Sequence, residues 1–153
     1  ASILQKFPRC RGFIFDLPQS ADHALKIIEN YNISDRCSFI SGSFFESIPE
    51  GGDLYMVKSI LHDWDDEACL KILRNIYKAM PSASKLLVIE SIIDEGNEPS
   101  FGKMTDILMM VSVGGKERTK AEYSSLLAQA GFKITKIYRT VSPHSIIEAE
   151  KEP

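Results

Sequence analysis

The sequence predicts an α/β fold, in which strands alternate with helices along the chain. Six short apolar runs have the length and composition of strands, and the segments between them carry apolar residues at helical spacing. Such alternation is typical of a sheet wound with right-handed crossovers, with helices on both faces. At 153 residues and 44% hydrophobic content, the chain fits one domain or part of one.

The six predicted strands are short runs separated by polar or helical segments. Three of them are almost continuously apolar, as expected for strands covered on both faces. The last two are separated by only a few residues, 142–144, so they must be antiparallel neighbours. The runs are GFIFDL (12–17), CSFIS (37–41), DLYMVKSIL (53–61), KLLVIESII (85–93), FKITKIYRTV (132–141) and SIIEAE (145–150).

Helical spacing marks the segments between the strands. One apolar stripe begins behind Ser20 and another behind Asp65, and both residue types are common N-caps. A third helix is predicted over residues 101–111. A fourth begins at Thr119, which matches a capping box with Glu122.

Composition and charge exclude several classes of function. The net charge is −3, from 18 basic and 21 acidic residues that are well mixed, so no basic stripe is available for nucleic acid. Cys10, Cys37 and Cys69 lack the paired spacing of a zinc site or a disulfide framework, which favours a reducing cytoplasm. No apolar run approaches the roughly 20 residues that span a bilayer. Neither nucleic acid nor membrane is expected as a partner.

Polar residues stand where several strands end, which is where sheets of this kind bind ligands. These positions are Asp16, residues 42–44, residues 58–63 and Glu90. Asp16 closes a strand at a position from which a carboxylate accepts hydrogen bonds from both ribose hydroxyls of a nucleoside cofactor. An N-capping role before Pro18 explains Asp16 equally well. Lys58 interrupts an apolar strand, and a buried lysine usually needs a ligand or an acidic partner.

His62 stands in the run LHDWDD (61–66), directly after an apolar strand. Its imidazole is the side chain best matched to accepting a proton near neutral pH. The acids that follow it orient the imidazole, bind a cation or begin the next helix, and the helix start is favoured for Asp65 and Asp66. No metal site is expected, because His62 and Asp63 would point to opposite faces of an extended strand end.

Two glutamates are candidate partners of His62. Glu90 lies inside the apolar run LLVIESII, where a carboxylate is costly unless it is paired or solvated. It ends the strand that follows the His62 strand, which makes it a plausible neighbour of the imidazole. Glu117, in GGKERT (114–119), is either a third member of this group or a solvated loop charge.

Five segments of the chain together resemble a known family, the S-adenosylmethionine-dependent small-molecule O-methyltransferases of the plant caffeate, chalcone and acetylserotonin type, with their bacterial relatives. The resemblance covers nearly the whole chain, and the LHDW and GGKERT elements make it specific. It implies a Rossmann-like methyltransferase sheet. The segments are FDLP (15–18), SGSFFESIP (41–49), DLYMVKSILHDWDDEACLKILRNI (53–76), LLVIES (86–91) and GGKERTKAEYSSLLAQAGF (114–132).

The resemblance implies S-adenosylmethionine as the cofactor and assigns four residues to it. Asp16 matches the acid that binds the ribose, Phe44 a residue that packs on the adenine, and Lys58 a lysine beside the cofactor. Ser43 stands where the family usually has an acid that contacts the adenosine. A hydroxyl in that place still forms a hydrogen bond but carries no charge.

The resemblance also implies a reaction, the methylation of a hydroxyl on a small phenolic, indolic or polyketide-like molecule. His62 matches the family's general base, and Glu90 and Glu117 match the two acids that orient it. Asp106 and Met109 fall in the segment that resembles the acceptor-binding helix. No metal is required, because the sulfonium already activates the methyl group.

One family element has no counterpart in the sequence, the first strand with the glycine-rich loop after it. We therefore expect residues 1–153 to be the C-terminal portion of a longer methyltransferase catalytic domain, with its sheet left in two fragments. A homodimer or a strand-exchanged dimer would repair such a sheet. The alternative function is a non-catalytic, truncated methyltransferase-like module for binding or dimerisation. A nicotinamide-dependent oxidoreductase is a weaker rival, because Asp16 suits either cofactor.

Overall fold

The computed structural model describes residues 1–152, which form two compact units, one from Ala1 to Pro49 and one from Glu50 onwards. Both units combine strands and helices, so the predicted α/β class is confirmed. Across the described part of the chain, no helix has both the length and the apolar character that crossing a bilayer requires.

The first unit contains two helices and a two-stranded parallel sheet. The strands pair from Gly12↔Cys37 to Asp16↔Ser41. Leu4, Ile28, Ile33 and Cys37 form a small core, and Ile14 packs against it. The elements are α1 (Ser2–Lys6), β1 (Gly12–Asp16), α2 (Ala21–Asn30) and β2 (Cys37–Ser41).

The second unit contains a five-stranded mixed sheet and three helices. Four strands follow the order β3-β4-β7-β6, and β5 also pairs with β4. Strands β6 and β7 are antiparallel, as predicted. The elements are β3 (Leu54–Lys58), α3 (Asp66–Ala79), β4 (Lys85–Ile93), α4 (Phe101–Ser112), β5 (Arg118–Thr119), α5 (Lys120–Gln129), β6 (Phe132–Arg139) and β7 (His144–Lys151).

The helix starts follow local side-chain chemistry. Asp65 caps α3 by accepting a hydrogen bond from the Ala68 N–H at 2.8 Å. Thr119 and Glu122 form the predicted capping box at the start of α5. Ser20 is the N-cap residue of α2, as predicted, but its side chain forms no capping hydrogen bond. The prediction is therefore correct for the position of the helix start and not for the capping interaction.

Strand β3 differs from its prediction in length and in burial. It ends at Lys58 instead of residue 61, because Ser59 adopts a left-handed backbone with φ of 52° and residues 61–63 form a 3₁₀ turn. It is also the last strand of its sheet, and Leu54 and Met56 are 46% and 48% exposed. The expectation that such apolar strands are covered on both faces is therefore wrong for β3.

The core of the second unit is apolar and is built from the predicted helical stripes and the central strands. Each fully buried aliphatic or aromatic side chain contributes about 1.5 to 3 kcal/mol to the free energy of unfolding. These contacts hold the carboxyl ends of β3 and β4, where the polar residues stand. The most completely buried apolar side chains include Leu61, Cys69, Leu73, Leu86, Tyr123, Leu127 and Ile147.

Candidate active site

In the first unit, the residues assigned to the cofactor stand at the carboxyl ends of β1 and β2. The Gly42 N–H donates to the Asp16 carbonyl oxygen at 2.9 Å, so the loop with Ser43 leaves β2 beside the end of β1. The Asp16 side chain is exposed, and its Oδ1 accepts from the Leu17 N–H. Because the following 3₁₀ turn has Leu17 as its N-cap residue, the N-capping interpretation of Asp16 is wrong.

The loop after β2 is held by short-range contacts. Ser43 Oγ accepts a hydrogen bond from the Phe45 N–H at 3.2 Å. The Phe44 and Phe45 rings meet edge to face, with centroids 4.9 Å apart. Ser43 and Phe44 are both half-buried, so part of each side chain remains open to a ligand.

In the second unit, Glu90 holds the turn that carries His62. After the left-handed residue Ser59, the N–H groups of Ile60 and Leu61 both donate to Glu90 Oε1 at 2.9 Å. These two donors belong to a turn without a strand partner, and a carboxylate satisfies both at once. The buried glutamate that looked anomalous in an apolar strand is therefore an acceptor for the backbone of this turn.

His62 lies among three carboxylates. Its Nδ1 is 3.1 Å from Glu117 Oε1 and 3.5 Å from Glu90 Oε2, and its Nε2 is 3.4 Å from Asp63 Oδ1. The side chains of Glu90 and Glu117 are 0% and 2% exposed, and that of His62 is 16% exposed. The structure thus brings together the three residues that the sequence predicts as base and partners.

Glu117 reaches His62 because a short strand fixes the loop before α5. Strand β5 pairs with the end of β4 through Ile92↔Arg118, two residues beyond Glu90. The Lys116 N–H donates to the His62 carbonyl oxygen at 2.9 Å. Residues 116–118 therefore run directly along the His62 turn. This pairing was not predicted, since two residues are too few to produce a strand pattern in the sequence.

The two buried glutamates compete for a single imidazole N–H. Burial raises the pKa of Glu90, while His62 and the N–H groups of Ile60 and Leu61 oppose that rise and the charge of Glu117 adds to it. Oε2 of each glutamate is buried without a hydrogen-bond partner among residues 1–152. Because the Nδ1 of a neutral imidazole carries only one proton, only one of the two carboxylates accepts it at a time.

The geometric argument against a metal site is wrong. His62 stands in a 3₁₀ turn and not at an extended strand end, and its neighbours are Glu90 and Glu117 from distant segments. One nitrogen or oxygen atom from each of the three lies within 4.8 Å of the others, a spacing that a cation also tolerates. The same distances are explained by the His62–Glu117 hydrogen bond. The absence of a metal stays a prediction.

Three further predicted site residues have distinct surroundings. Lys58 is exposed at the end of β3, so the expectation of a buried lysine is wrong, because β3 is the last strand of its sheet. Asp106, on α4, accepts a hydrogen bond from the Glu117 N–H at 2.9 Å. Met109 is half-buried on the same helix. Asp106 therefore supports the Glu117 loop, and its assignment to the acceptor stays a prediction, as does that of Met109.

Asp65 and Asp66 start α3, as the sequence predicts, but Asp66 has a second role. Its carboxylate accepts hydrogen bonds from Lys116 and from Arg118. Burial pushes the pKa of Asp66 upward, and these hydrogen bonds outweigh that effect, so the pKa lies below its ordinary value. Arg118 was not identified as a site residue, although it follows Glu117 directly in GGKERT. The available signal was the run of three charged residues in that short motif.

Comparison with known proteins identifies the family. The family model described as an O-methyltransferase domain matches residues 1–133. The chain is 42% identical over 149 residues to the phenazine O-methyltransferase PhzM of Lysobacter antibioticus, covering 97% of this chain and 44% of that protein. It is 41% identical over 135 residues to the mitomycin biosynthesis 6-O-methyltransferase of Streptomyces lavendulae, covering 88% of this chain and 38% of that protein.

Solved structures agree in fold. The structure of LaPhzM matches with a TM-score of 0.94 at 42% identity, covering 98% of this chain and 45% of that one. A second match is the O-methyltransferase NcsB1 from neocarzinostatin biosynthesis, solved in complex with S-adenosyl-L-homocysteine and 1,4-dihydroxy-2-naphthoic acid. It matches with a TM-score of 0.88 at 33% identity, covering 98% of this chain and 44% of that one. The chain thus spans less than half the length of the relatives it matches. With matched motifs, a matched fold and a family model over most of its length, the chain belongs to the O-methyltransferase domain family.

Proposed function

We propose that this chain carries the general base of an S-adenosylmethionine-dependent methyltransferase that methylates a hydroxyl of a small aromatic molecule. His62 is the base, and Glu117 and Glu90 orient it. The observation that carries the proposal is the 3.1 Å contact between His62 Nδ1 and Glu117 Oε1, made by an almost fully buried carboxylate. A carboxylate on one ring nitrogen fixes the tautomer that leaves the other nitrogen free to accept a proton.

Proton removal from the acceptor follows from this arrangement. A neutral His62 donates its Nδ1–H to Glu117, so Nε2 carries the lone pair and takes the proton of the acceptor hydroxyl. The imidazolium that forms is stabilised by Glu117 on one side and by Asp63, 3.4 Å from Nε2, on the other. Glu90 adds negative charge while it holds the turn in place.

The cofactor assignment rests on the end of the first sheet. S-adenosylmethionine supplies a methyl group already activated by a sulfonium. Asp16 fits a ribose-binding role because its exposed carboxylate stands at the carboxyl end of β1. The half-buried Ser43 and Phe44 in the neighbouring loop are assigned to the adenosine. Two solved structures of the relative NcsB1 contain S-adenosyl-L-homocysteine or S-adenosylmethionine, which supports this cofactor. Lys58 is assigned to the cofactor from the family resemblance alone.

The acceptor class is inferred from the relatives and from α4. One relative is named a phenazine O-methyltransferase, another a myricetin 3-O-methyltransferase, and NcsB1 was solved with a dihydroxynaphthoic acid. All three names refer to aromatic ring systems, and the ligand solved with NcsB1 carries two hydroxyl groups on its rings. Helix α4 exposes apolar side chains, among them Met104, Leu108 and Met110, and Met109 is half-buried. Flexible methionine side chains adapt to flat apolar rings.

A non-catalytic module for binding or dimerisation is the second candidate. Isothermal titration with S-adenosylhomocysteine separates the two functions. A catalytic chain binds this probe, whereas binding by neither the chain nor the complete product of its gene favours the non-catalytic module.

Replacement of His62 tests the catalytic proposal. We expect His62→Ala to lower kcat by about 10²-fold or more, because a general base typically contributes that much. The dissociation constant for S-adenosylhomocysteine should change less than about twofold, because the residues assigned to the adenosine are untouched. Methyl transfer to 1,4-dihydroxy-2-naphthoic acid is followed by mass spectrometry, with the complete product of the gene assayed in parallel.

The matched control is His23→Ala, which removes an exposed histidine of α2. It should leave both turnover and cofactor affinity unchanged. Full turnover by the His62→Ala protein would remove His62 from the role of base, and the absence of any methyl transfer by the unmodified protein to hydroxylated aromatic probes would refute the proposed reaction.

A further inference from the structure

Arg118 is a fully buried charged side chain of the second unit, with 0% exposure. Its guanidinium donates to two backbone carbonyl oxygens that flank His62, from Nη1 to Leu61 at 2.8 Å and from Nη2 to Trp64 at 2.9 Å. Nε and Nη2 also donate to Asp66 Oδ1 at 3.0 Å and 2.8 Å. One side chain thus binds the turn of the base both before and after the histidine.

These contacts differ from an ordinary ion pair. The Asp66 carboxylate is 55% exposed and has Lys116 as a second partner, so it does not depend on Arg118 alone. The Leu61 carbonyl lies in a buried environment, where it accepts from Arg118 and also from Cys69 Sγ at 3.1 Å. A planar guanidinium presents its N–H groups in a fixed fork, so it reaches both carbonyls and Asp66 together, which an ammonium cannot do.

Arg118 is also joined to the acid partner of the base. It follows Glu117 in the chain, and β5 anchors it to β4 through Ile92. Its Nη1 contacts the Lys116 carbonyl oxygen at 3.3 Å, while the Lys116 N–H binds the His62 carbonyl. Any shift of Arg118 against the turn therefore changes the distance between His62 Nδ1 and Glu117 Oε1.

We propose that Arg118 is the positioning residue of this site, which clamps the His62 turn against the Glu117 loop and so holds the imidazole in its Nδ1–H tautomer. This inference rests on the proposed function, because it gives Arg118 a role in the same proton transfer. Arg118 touches neither cofactor nor acceptor in this role. It acts through the backbone of residues 61–64 and through its neighbour Glu117.

Two substitutions test the clamp. Arg118→Met keeps an unbranched apolar side chain and removes every donor, and Arg118→Lys keeps the charge beside Asp66 but cannot reach both carbonyls. We expect both to lower kcat by about 10²-fold, since a misplacement of about 1 Å in a catalytic geometry costs that much. The KM for the acceptor and the affinity for S-adenosylhomocysteine should stay within about twofold.

The second readout is independent of turnover. Nitrogen-15 NMR of the histidine rings reports which nitrogen of His62 carries the proton. The unmodified protein should show the Nδ1–H form, and both Arg118 variants should show a mixture of tautomers. The matched control is Arg139→Met, which removes an exposed arginine paired with Asp94 on the surface. It should leave kcat and the tautomer unchanged.

The outcomes separate this inference from the proposed function. If the unmodified protein transfers no methyl group, the proposed function fails, while the NMR comparison still decides the role of Arg118. An unchanged Nδ1–H tautomer in a folded Arg118→Met or Arg118→Lys protein would overturn the clamp. If neither variant folds, NMR of the Arg118 guanidinium in the unmodified protein provides the test. Resolved, slowly exchanging Nη protons would support the clamp, whereas a freely rotating guanidinium would refute it.

Discussion

At the scale of single residues, the site is defined by a conflict between burial and charge. Glu90 and Glu117 are both buried beside one imidazole, and Glu90 also serves two backbone donors. Burial raises the pKa of Glu90, and the charge of Glu117 adds to that rise. The pKa of Glu90 therefore bears on the stability of the folded chain as well as on catalysis.

Replacement of Glu90 by Gln tests whether burial of this carboxylate charge destabilises the folded chain. Burial raises the pKa of Glu90 in the folded chain above its value in the unfolded chain. At a pH between these two pKa values, the folded chain binds more protons than the unfolded chain, so its stability falls as pH rises through that window. Glu90→Gln keeps an oxygen for Ile60 and Leu61 but has no charge to bury. We expect its Tm to exceed that of the unmodified protein by a margin that grows from acidic to neutral pH. A margin that does not vary with pH would contradict this account.

Tyr123 offers a second residue-scale test. Its Oη is buried and has no hydrogen-bond partner within residues 1–152, and burial, with the charges of Glu90 and Glu117, raises its pKa well above the ordinary value. A buried hydroxyl without a partner costs about 1 to 3 kcal/mol, so we expect Tyr123→Phe to raise the free energy of unfolding by about 1 kcal/mol. Urea denaturation measures the change.

The control for Tyr123 is Tyr138→Phe on β6. The Tyr138 hydroxyl forms a surface hydrogen bond to Glu148, so its loss should change stability by less than about 0.5 kcal/mol. A loss of stability in the Tyr123→Phe protein would instead mean that the hydroxyl forms a hydrogen bond in solution.

At the scale of elements, the loop before β5 must lie very close to the His62 turn. Gly115 is buried, and a Cβ atom there would overlap the carbonyl oxygen of His62 and the backbone of Asp63. Because these are backbone atoms, no side-chain rotation relieves the overlap. We expect Gly115→Ala to lower the free energy of unfolding by about 1 to 3 kcal/mol, as overpacking does, and to lower kcat with it.

Gly102→Ala is the control for Gly115. A Cβ at Gly102, on α4, meets its nearest atoms at 3.5 Å, which is ordinary contact, and alanine favours a helix. Thermal unfolding of both variants should show a loss for Gly115→Ala alone. Equal stability of the two alanine variants would mean that the loop has room to move.

The elements also differ in how well their sequences predict them. The capping box of Thr119 and Glu122 was predicted correctly, because a cap depends on residues three apart. The end of β3 was not predicted correctly, because the apolar run continues to residue 61 while the left-handed backbone of Ser59 already turns the chain. Strand β5 has two residues, and its pairing with Ile92 depends on a contact across the sheet. Local patterns identify caps and stripes, whereas strand ends and short pairings depend on distant partners.

At the scale of the whole molecule, the strands divide between two sheets. Strands β1 and β2 form one, and β3, β4, β5, β6 and β7 form the other. This division agrees with the expectation of two sheet fragments, which was drawn from the family's strand order. Strand β3 is the last strand of its sheet, and its residues Leu54 and Met56 are exposed.

The order and spacing of the residues were enough to predict the α/β class, the antiparallel final strands, the helix caps at Asp65 and Thr119, and the family. His62 and Glu90 are conspicuous in the sequence because titratable residues in or directly after apolar runs are costly, whereas Glu117 was assigned from the family resemblance. Two features of the site were visible only in the folded chain: one oxygen of Glu90 holds the turn, and Arg118 binds on both sides of His62. These contacts join residues 29 to 57 positions apart. A local sequence pattern carries no information over such separations, whereas the packing of the sheet fixes them.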